Sequence, residues 1–154
     1  MLSTIAAVAA ILALVLHAAL AGLFYAFSMS VMPAFDAIPA EQAENAMRSI
    51  NVKILNPWLY LALLGGPLLS LVAGVLLLVD GSTPAAIWLF AATAVNFVGS
   101  LMVTGAANVP MNNALDAKQV AWKDFSPRWT RLNTVRAWCC ALSVALIGIG
   151  LLAW

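Results

Sequence analysis

Charge is the scarcest commodity in this sequence. Seven Lys and Arg and six Asp and Glu make up 8% of 154 residues, against 64% hydrophobic. A water-soluble domain of this length carries roughly 25% charged residues to cover its surface. A soluble enzyme and a disordered tail are therefore excluded. A basic surplus is missing too: the formal net charge is +1, far from the footprint a phosphate backbone demands, so no nucleic-acid partner is expected. Histidine occurs once, at His17, and the two cysteines, Cys139 and Cys140, are adjacent. Adjacent cysteines rarely close a disulfide, because the Cα and Cβ geometry is strained. They read as small apolar fillers. No Cys/His/carboxylate spacing suits a metal and no glycine-rich turn suits a dinucleotide, so neither a metal nor a cofactor is expected.

What is present is apolar sequence in long runs. No Asp, Glu, Lys or Arg interrupts Met1–Phe35, Ile54–Val79, Gly81–Leu115 or Ala137–Trp154. A hydrocarbon core of ~30 Å is crossed by about 20 helical residues, so each run supplies one span. The expected architecture is all-α: a single integral membrane four-helix bundle covering residues 1–154, with a bilayer as its first partner. The spans are placed at about Thr4–Met32, Pro57–Val79, Pro84–Ala107 and Pro127–Ala153. The first run has no basic n-region and no small-residue cleavage site followed by polar sequence, so it reads as a retained span.

Proline marks the expected ends. Asn56-Pro57, Thr83-Pro84 and Ser126-Pro127 each set a capping side chain before a proline at the first helical position, where the missing N–H costs nothing. Asp80-Gly81-Ser82-Thr83 is a tight turn, which makes the second and third spans antiparallel neighbours. Gly65-Gly66-Pro67 should bend the second span. Gly66, Ser70 and Gly74 form a small-residue stripe for close helix packing. Between the first two spans, Ala43, Met47, Ile50 and Ile54 recur at helical spacing opposite Glu41, Glu44, Arg48 and Lys53. This is a short amphipathic interfacial helix, with Glu44 and Arg48 spaced for an i,i+4 pair.

The longer connections, Asp36–Leu55 and Val109–Ser126, fall on one side and hold every Lys and Arg except those that open the fourth span beside them. The positive-inside rule puts that side in the cytoplasm and both termini outside, as in a bacterial inner membrane. Trp58, Trp129 and Trp138 then lie near the cytoplasmic boundary, and Trp88 and Trp154 near the other. A faint repeat pairs Met32-Pro33 with Val109-Pro110, and Asn51 with Asn133 at one depth.

Chemistry must come from polar side chains inside the apolar runs, because leaving them against lipid is costly. Asn96, Ser100, Thr104, Asn108 and Asn112 repeat every four residues, a shallow spiral facing the bundle interior. Ser100 and Thr104 read as interhelical glue; Asn96, Asn108 and Asn112 stand evenly between glue and a lined pocket. His17 lies level with Asn96 and is a packing residue, a general base or an axial ligand. Trp129, Asn133 and Arg136 share one face of the fourth span, where a fixed anion or phenolate site competes with simple snorkelling to the headgroups.

Those residues carry a resemblance. Asn108-Val109-Pro110-Met111-Asn112-Asn113-Ala114-Leu115, followed by Trp129-Thr130-Arg131-Leu132-Asn133-Thr134-Val135-Arg136, is similar to the C-terminal signature of the anthrone oxygenase-like family of small four-span membrane proteins. Met32-Pro33 and Arg48-Ser49-Ile50-Asn51 resemble its N-terminal pattern. The family commonly has histidine where Asn133 stands here. The resemblance implies oxidation of a lipophilic anthrone, phenol or quinol by O2 without a cofactor. An acidic C–H loses its proton, the oxyanion is stabilised, and the enolate meets O2 in a dry cavity. His17 is then the base; Asn96, Asn112, Asn133 and Arg136 hold the oxyanion beside Asn108; Phe24, Tyr25 and Trp129 stack on the rings. The rival expectation is a non-catalytic lipid- or quinone-binding module or an accessory subunit of a larger membrane assembly; the expected partners are a lipophilic small molecule and a homo-oligomer or larger membrane complex.

Overall fold

The computed structural model describes residues 1–154. It is all-helical, with no strand: α1 (Leu2–Asp36), α2 (Ala40–Lys53), α3 (Pro57–Val79), α4 (Thr83–Asp116) and α5 (Trp122–Leu152). The helices α1, α3, α4 and α5 are each long and apolar enough to cross a membrane. They form a ring in which α1 and α4 stand diagonally and each packs on both α3 and α5. The amphipathic α2 lies across one end, touching the last turns of α1 and α4 and the start of α5. Its Glu44–Arg48 pair forms at 3.0 Å. This is an integral membrane four-helix bundle.

The caps differ from expectation in an informative way. Asn56 does cap α3, accepting from the N–H groups of Trp58 and Leu59 at 3.0 and 3.2 Å. The other two expected caps do not form. Helix α4 starts at Thr83 itself, and Ser82, at its N-cap, makes no side-chain bond. Helix α5 starts at Trp122 and carries Pro127 inside. Ser126 turns instead to Asp36 at the end of α1, donating at 2.7 Å, and the Trp122 indole N–H donates to the same oxygen at 2.8 Å. Burial of Trp122 and Phe125 against Met32, Met47 and Leu115 carries the extra helical turn past the proline.

Prolines at the exits of α1 and α4 also fail to stop their helices, which run on to Asp36 and Asp116. Each is preceded by a π-wound turn, Phe27–Val31 before Pro33 and Thr104–Asn108 before Pro110. A proline ring ordinarily collides with the carbonyl four residues back. Here the residue just before each proline donates one position further back, Met32 to Phe27 and Val109 to Thr104, and the widened turn makes room. The polar segment Val109–Ser126 is therefore mostly helix, with only residues 117–121 as connection. The shared π turn gives the faint repeat a structural counterpart.

Candidate functional site

The core divides along the bundle axis. At the end holding the termini, Ala6, Ala10, Ala13, Ala73, Ala86 and Ala92 pack with Leu77, Leu89 and Ile147. Small side chains there let the backbones approach. The glycine stripe of α3 joins in: Phe90 sits against Gly74, where a Cβ would lie 2.7 Å from its ring. At the opposite end the core is made of methionine and aromatic rings, and it encloses a cavity of about 80 Å³.

Helices α4 and α5, with Asn51 of α2, supply the polar side of this cavity, and α2 covers it. Arg136 of α5 reaches it with only 5% of its surface exposed. Its guanidinium donates to Thr104 Oγ1 at 3.0 Å and to Asn133 Oδ1 at 2.8 Å, and lies over the Phe24 ring at 4.2 Å. Asn133 is held in turn by its amide, which donates to the Phe24 carbonyl at 2.6 Å and to Ser28 Oγ at 2.7 Å. The Phe24 carbonyl and Ser28 hydroxyl flank the start of the π turn in α1, where regular α bonding is interrupted. No carboxylate pairs with Arg136; the protein's one ion pair is Glu44–Arg48. Asn108 is also buried in this wall, and neither its amide nitrogen nor its oxygen has a partner. Asn51, from α2, leaves its amide nitrogen free in the same way.

Apolar side chains form the rest: Leu23, Phe24 and Phe27 from α1, Met47, Ile50 and Ile54 from α2 and its exit, Leu59 and Leu63 from α3. The α2 stripe that looked like an interfacial face is thus the cover of the cavity. Trp129 forms a further wall, its indole N–H donating to Asn112 Oδ1 at 2.8 Å and its ring tilted against Phe27. Trp129 is buried and belongs to no aromatic belt, whereas Trp58 and Trp138 face outward, 79% and 65% exposed.

Winding explains how α4 presents its polar residues. On a regular α-helix a four-residue step overshoots a full turn and drifts. Two stretches of α4, Phe97–Met102 and Thr104–Asn108, are π-wound, with i→i+5 bonds and more residues per turn. A four-residue step there falls short, so the two drifts offset each other. Asn96, Ser100 and Asn108 are buried, and Thr104, Asn108 and Asn112 line the cavity.

The candidate residues therefore separate. Phe24, Asn108, Asn112, Trp129, Asn133 and Arg136 share the cavity. Asn112 does not touch Arg136; it orients Trp129. Tyr25 points away, half exposed on the outer surface beside Trp138. His17 and Asn96 lie deeper, outside the cavity wall. His17 is fully buried, bonded through Nδ1 to the Ala13 carbonyl at 2.7 Å and packed on Gly66. Asn96 donates to Cys140 Sγ at 3.5 Å, so that cysteine is more than a filler. Sequence spacing alone does not mark Thr104, Ser28, Asn51 or Met47 as site residues. The spacing that made Thr104 look like glue is the same that brings it to Arg136.

The family model for anthrone oxygenases matches residues 58–146. The chain belongs to this family. No curated protein and no solved structure matches it significantly. The matched stretch runs from α3 into α5 and contains every polar cavity residue except Asn51. An oxygenase-type role follows as the family's suggestion. The cavity wall adds one chemical fact: Arg136 is the sole titratable residue that lines it.

Proposed function

We propose that the cavity binds a lipophilic, weakly acidic aromatic molecule of the anthrone, phenol or quinol type and stabilises its oxyanion for direct reaction with O2. The observation that carries this reading is Arg136: a guanidinium in an apolar bundle with no carboxylate partner. A charged side chain inside a bilayer span costs at least ~2.5–3.5 kcal/mol, and such residues almost always have a partner. An anionic ligand completes this one. Arg136 and the free amides of Asn108 and Asn51 offer N–H donors to one oxyanion, while Phe24, Phe27 and Trp129 provide ring surface. Preorganised donors in a dry site are worth far more than in water. Helix α2 supplies Met47, Ile50 and Asn51 to the wall, so a ligand that enters meets this cover directly.

We further read the α2 end as cytoplasmic, since the Lys and Arg residues gather there. The test is direct. Protein in nanodiscs should consume one O2 for each anthrone converted to anthraquinone, and Arg136→Lys, which keeps the charge but loses the fork, should be much slower.

The absence of a base from the cavity wall favours a second reading, a binding module for a phenol, quinone or lipid without turnover. Tight binding of anthrone with no O2 uptake above the uncatalysed rate would select it.

A further inference from the structure

A cavity that generates an enolate must send a proton somewhere, and its own wall has no acceptor. One to two helical turns deeper, between the alanine-packed core and the cavity floor, lies a second polar layer. It is placed by its neighbours. His17 follows Ala13 of the alanine core and precedes Leu20 of the next cluster; Asn96 follows Ala92 of the same core and bonds to Cys140, which packs with Leu20's cluster. The layer is joined to the cavity along two helices. Thr104, bonded to Arg136, is one turn from Ser100, and Arg136 is one turn from Cys140, beside which Ser100 and Asn96 both lie.

Three atoms of this layer are sealed from solvent and short of hydrogen-bond partners: His17 Nε2 and Asn96 Oδ1, which have none, and Ser100 Oγ, which has only the weak Cys140 thiol beside it. Their chemistry is complementary to water. The Ala13 carbonyl can only accept, so His17 Nδ1 carries the proton and Nε2 is left as a bare acceptor. Asn96 Oδ1 also accepts, since its amide nitrogen is the atom facing Cys140. The Ser100 hydroxyl can donate or accept. Buried polar groups of this kind ordinarily bind internal water, which needs two to four such partners. Gly66 leaves space for the imidazole, because a Cβ there would lie 3.1 Å from the ring.

We propose that His17, Asn96 and Ser100 hold internal water in the middle of the membrane, and that this water passes the substrate's proton from the Arg136 cavity to His17 Nε2. The inference rests on the substrate reading given above. In the step, the acidic C–H bond breaks and its electron pair remains on the substrate as the enolate, held by Arg136. The proton moves to water, which gives one of its own to Nε2. Nothing is oxidised until O2 adds to the enolate. The imidazolium then returns its proton to the peroxide anion, and loss of water leaves the quinone. His17 acts here through water and serves as the relay's terminal base.

Two measurements on the full chain in lipid nanodiscs or bilayers decide the matter. Solid-state NMR with ¹⁵N-labelled histidine should show a water cross-peak at His17 Nε2; a dry Nε2 overturns the proposal. Anthrone added without O2 should produce the enolate absorption band. His17→Gln, which can keep the bond to Ala13, should slow its appearance about 100-fold or more while anthraquinone, which has no proton to lose, binds as to wild type. Cys139→Ala, at a thiol that packs on Gly99 outside the layer, should change neither. Undiminished enolate formation in His17→Gln, or its loss in Cys139→Ala with binding intact, overturns the relay but leaves the substrate reading standing. Failure of wild type to bind either ring system removes the substrate reading and the relay together, whatever the NMR shows about water.

Discussion

The two ends of this bundle obey opposite packing rules. Around Ala6, Ala13, Ala86 and Gly74 the four helices are close, regular and without a cavity on the scale of the other end's. Around Met32, Met47, Trp122 and Trp129 they pack through large side chains, and both α1 and α4 turn π-wound. Small residues maximise contact between backbones and tie the helices into one unit. The wide turns do the reverse, allowing prolines inside continuous helices, and the Phe24 carbonyl beside one of them accepts from Asn133. A cavity containing an uncompensated cation is tolerable at one end because the other end supplies the cohesion. The same division separates stability from binding, which makes it testable.

The largest effect is expected from overfilling the close-packed end. Gly74→Leu must displace Phe90, and Gly150→Leu meets Leu89 and the Ala85 carbonyl. Each should cost about 3 kcal/mol of stability, the upper part of the usual overpacking range, read as a lowered unfolding midpoint in detergent. Ligand affinity of the protein that remains folded should be unchanged. A large affinity loss would show that the two ends are not separable.

At the cavity end the balance reverses. Arg136→Lys should weaken binding of an anionic phenol by about 2 kcal/mol, within the range for a charge-assisted hydrogen bond, measured by calorimetry or Trp fluorescence. Arg136→Met should lose as much affinity, yet its ligand-free stability should fall little or even rise, because a buried unpaired charge is removed. Severe destabilisation by Arg136→Met would mean that Thr104 and Asn133 already satisfy the guanidinium, and the anion site would lose its main support.

A smaller change is expected at Asn112. Its replacement by Ala frees the Trp129 indole N–H and should cost about 1 kcal/mol. The Trp129 emission should shift and ligand affinity fall modestly. No change in either would leave Asn112 without a role. The mildest perturbation is a reporter, which should alter no packing: at Trp154 it should be extracytoplasmic, and near Lys118 cytoplasmic. The reverse labelling would turn the cavity end outward and leave the comparison of the two ends untouched.

Much of this architecture is legible in the order of residues. Long runs without charge specify four spans, because hydrocarbon tolerates nothing else at that length. The alternation of Ala43, Met47 and Ile50 with Glu44 and Arg48 specifies α2. Helix ends were less legible. Pro33, Pro110 and Pro127 look like boundaries, and all three lie within longer helices. Proline's local penalty is a property of α winding, and neighbouring turns can change that winding. Tyr25 and Phe24 are adjacent and chemically alike, yet one faces out and the other floors the guanidinium; no local signal separates them without the positions of α5 and α3.

Residue order therefore decides the span count, the amphipathic cover, the gathering of basic charge at one end and the family, since each follows from local composition or from a short motif. Tertiary packing decides which polar groups meet. It gives Arg136 to Thr104 and Asn133 with no acid in reach, gives Asn112 to Trp129, and leaves His17 outside the cavity. Those outcomes depend on how four helices are rotated about their axes. Two α/π transitions in α4 and one in α1 alter that rotation, and such transitions are stabilised by contacts between helices that no single stretch of sequence contains.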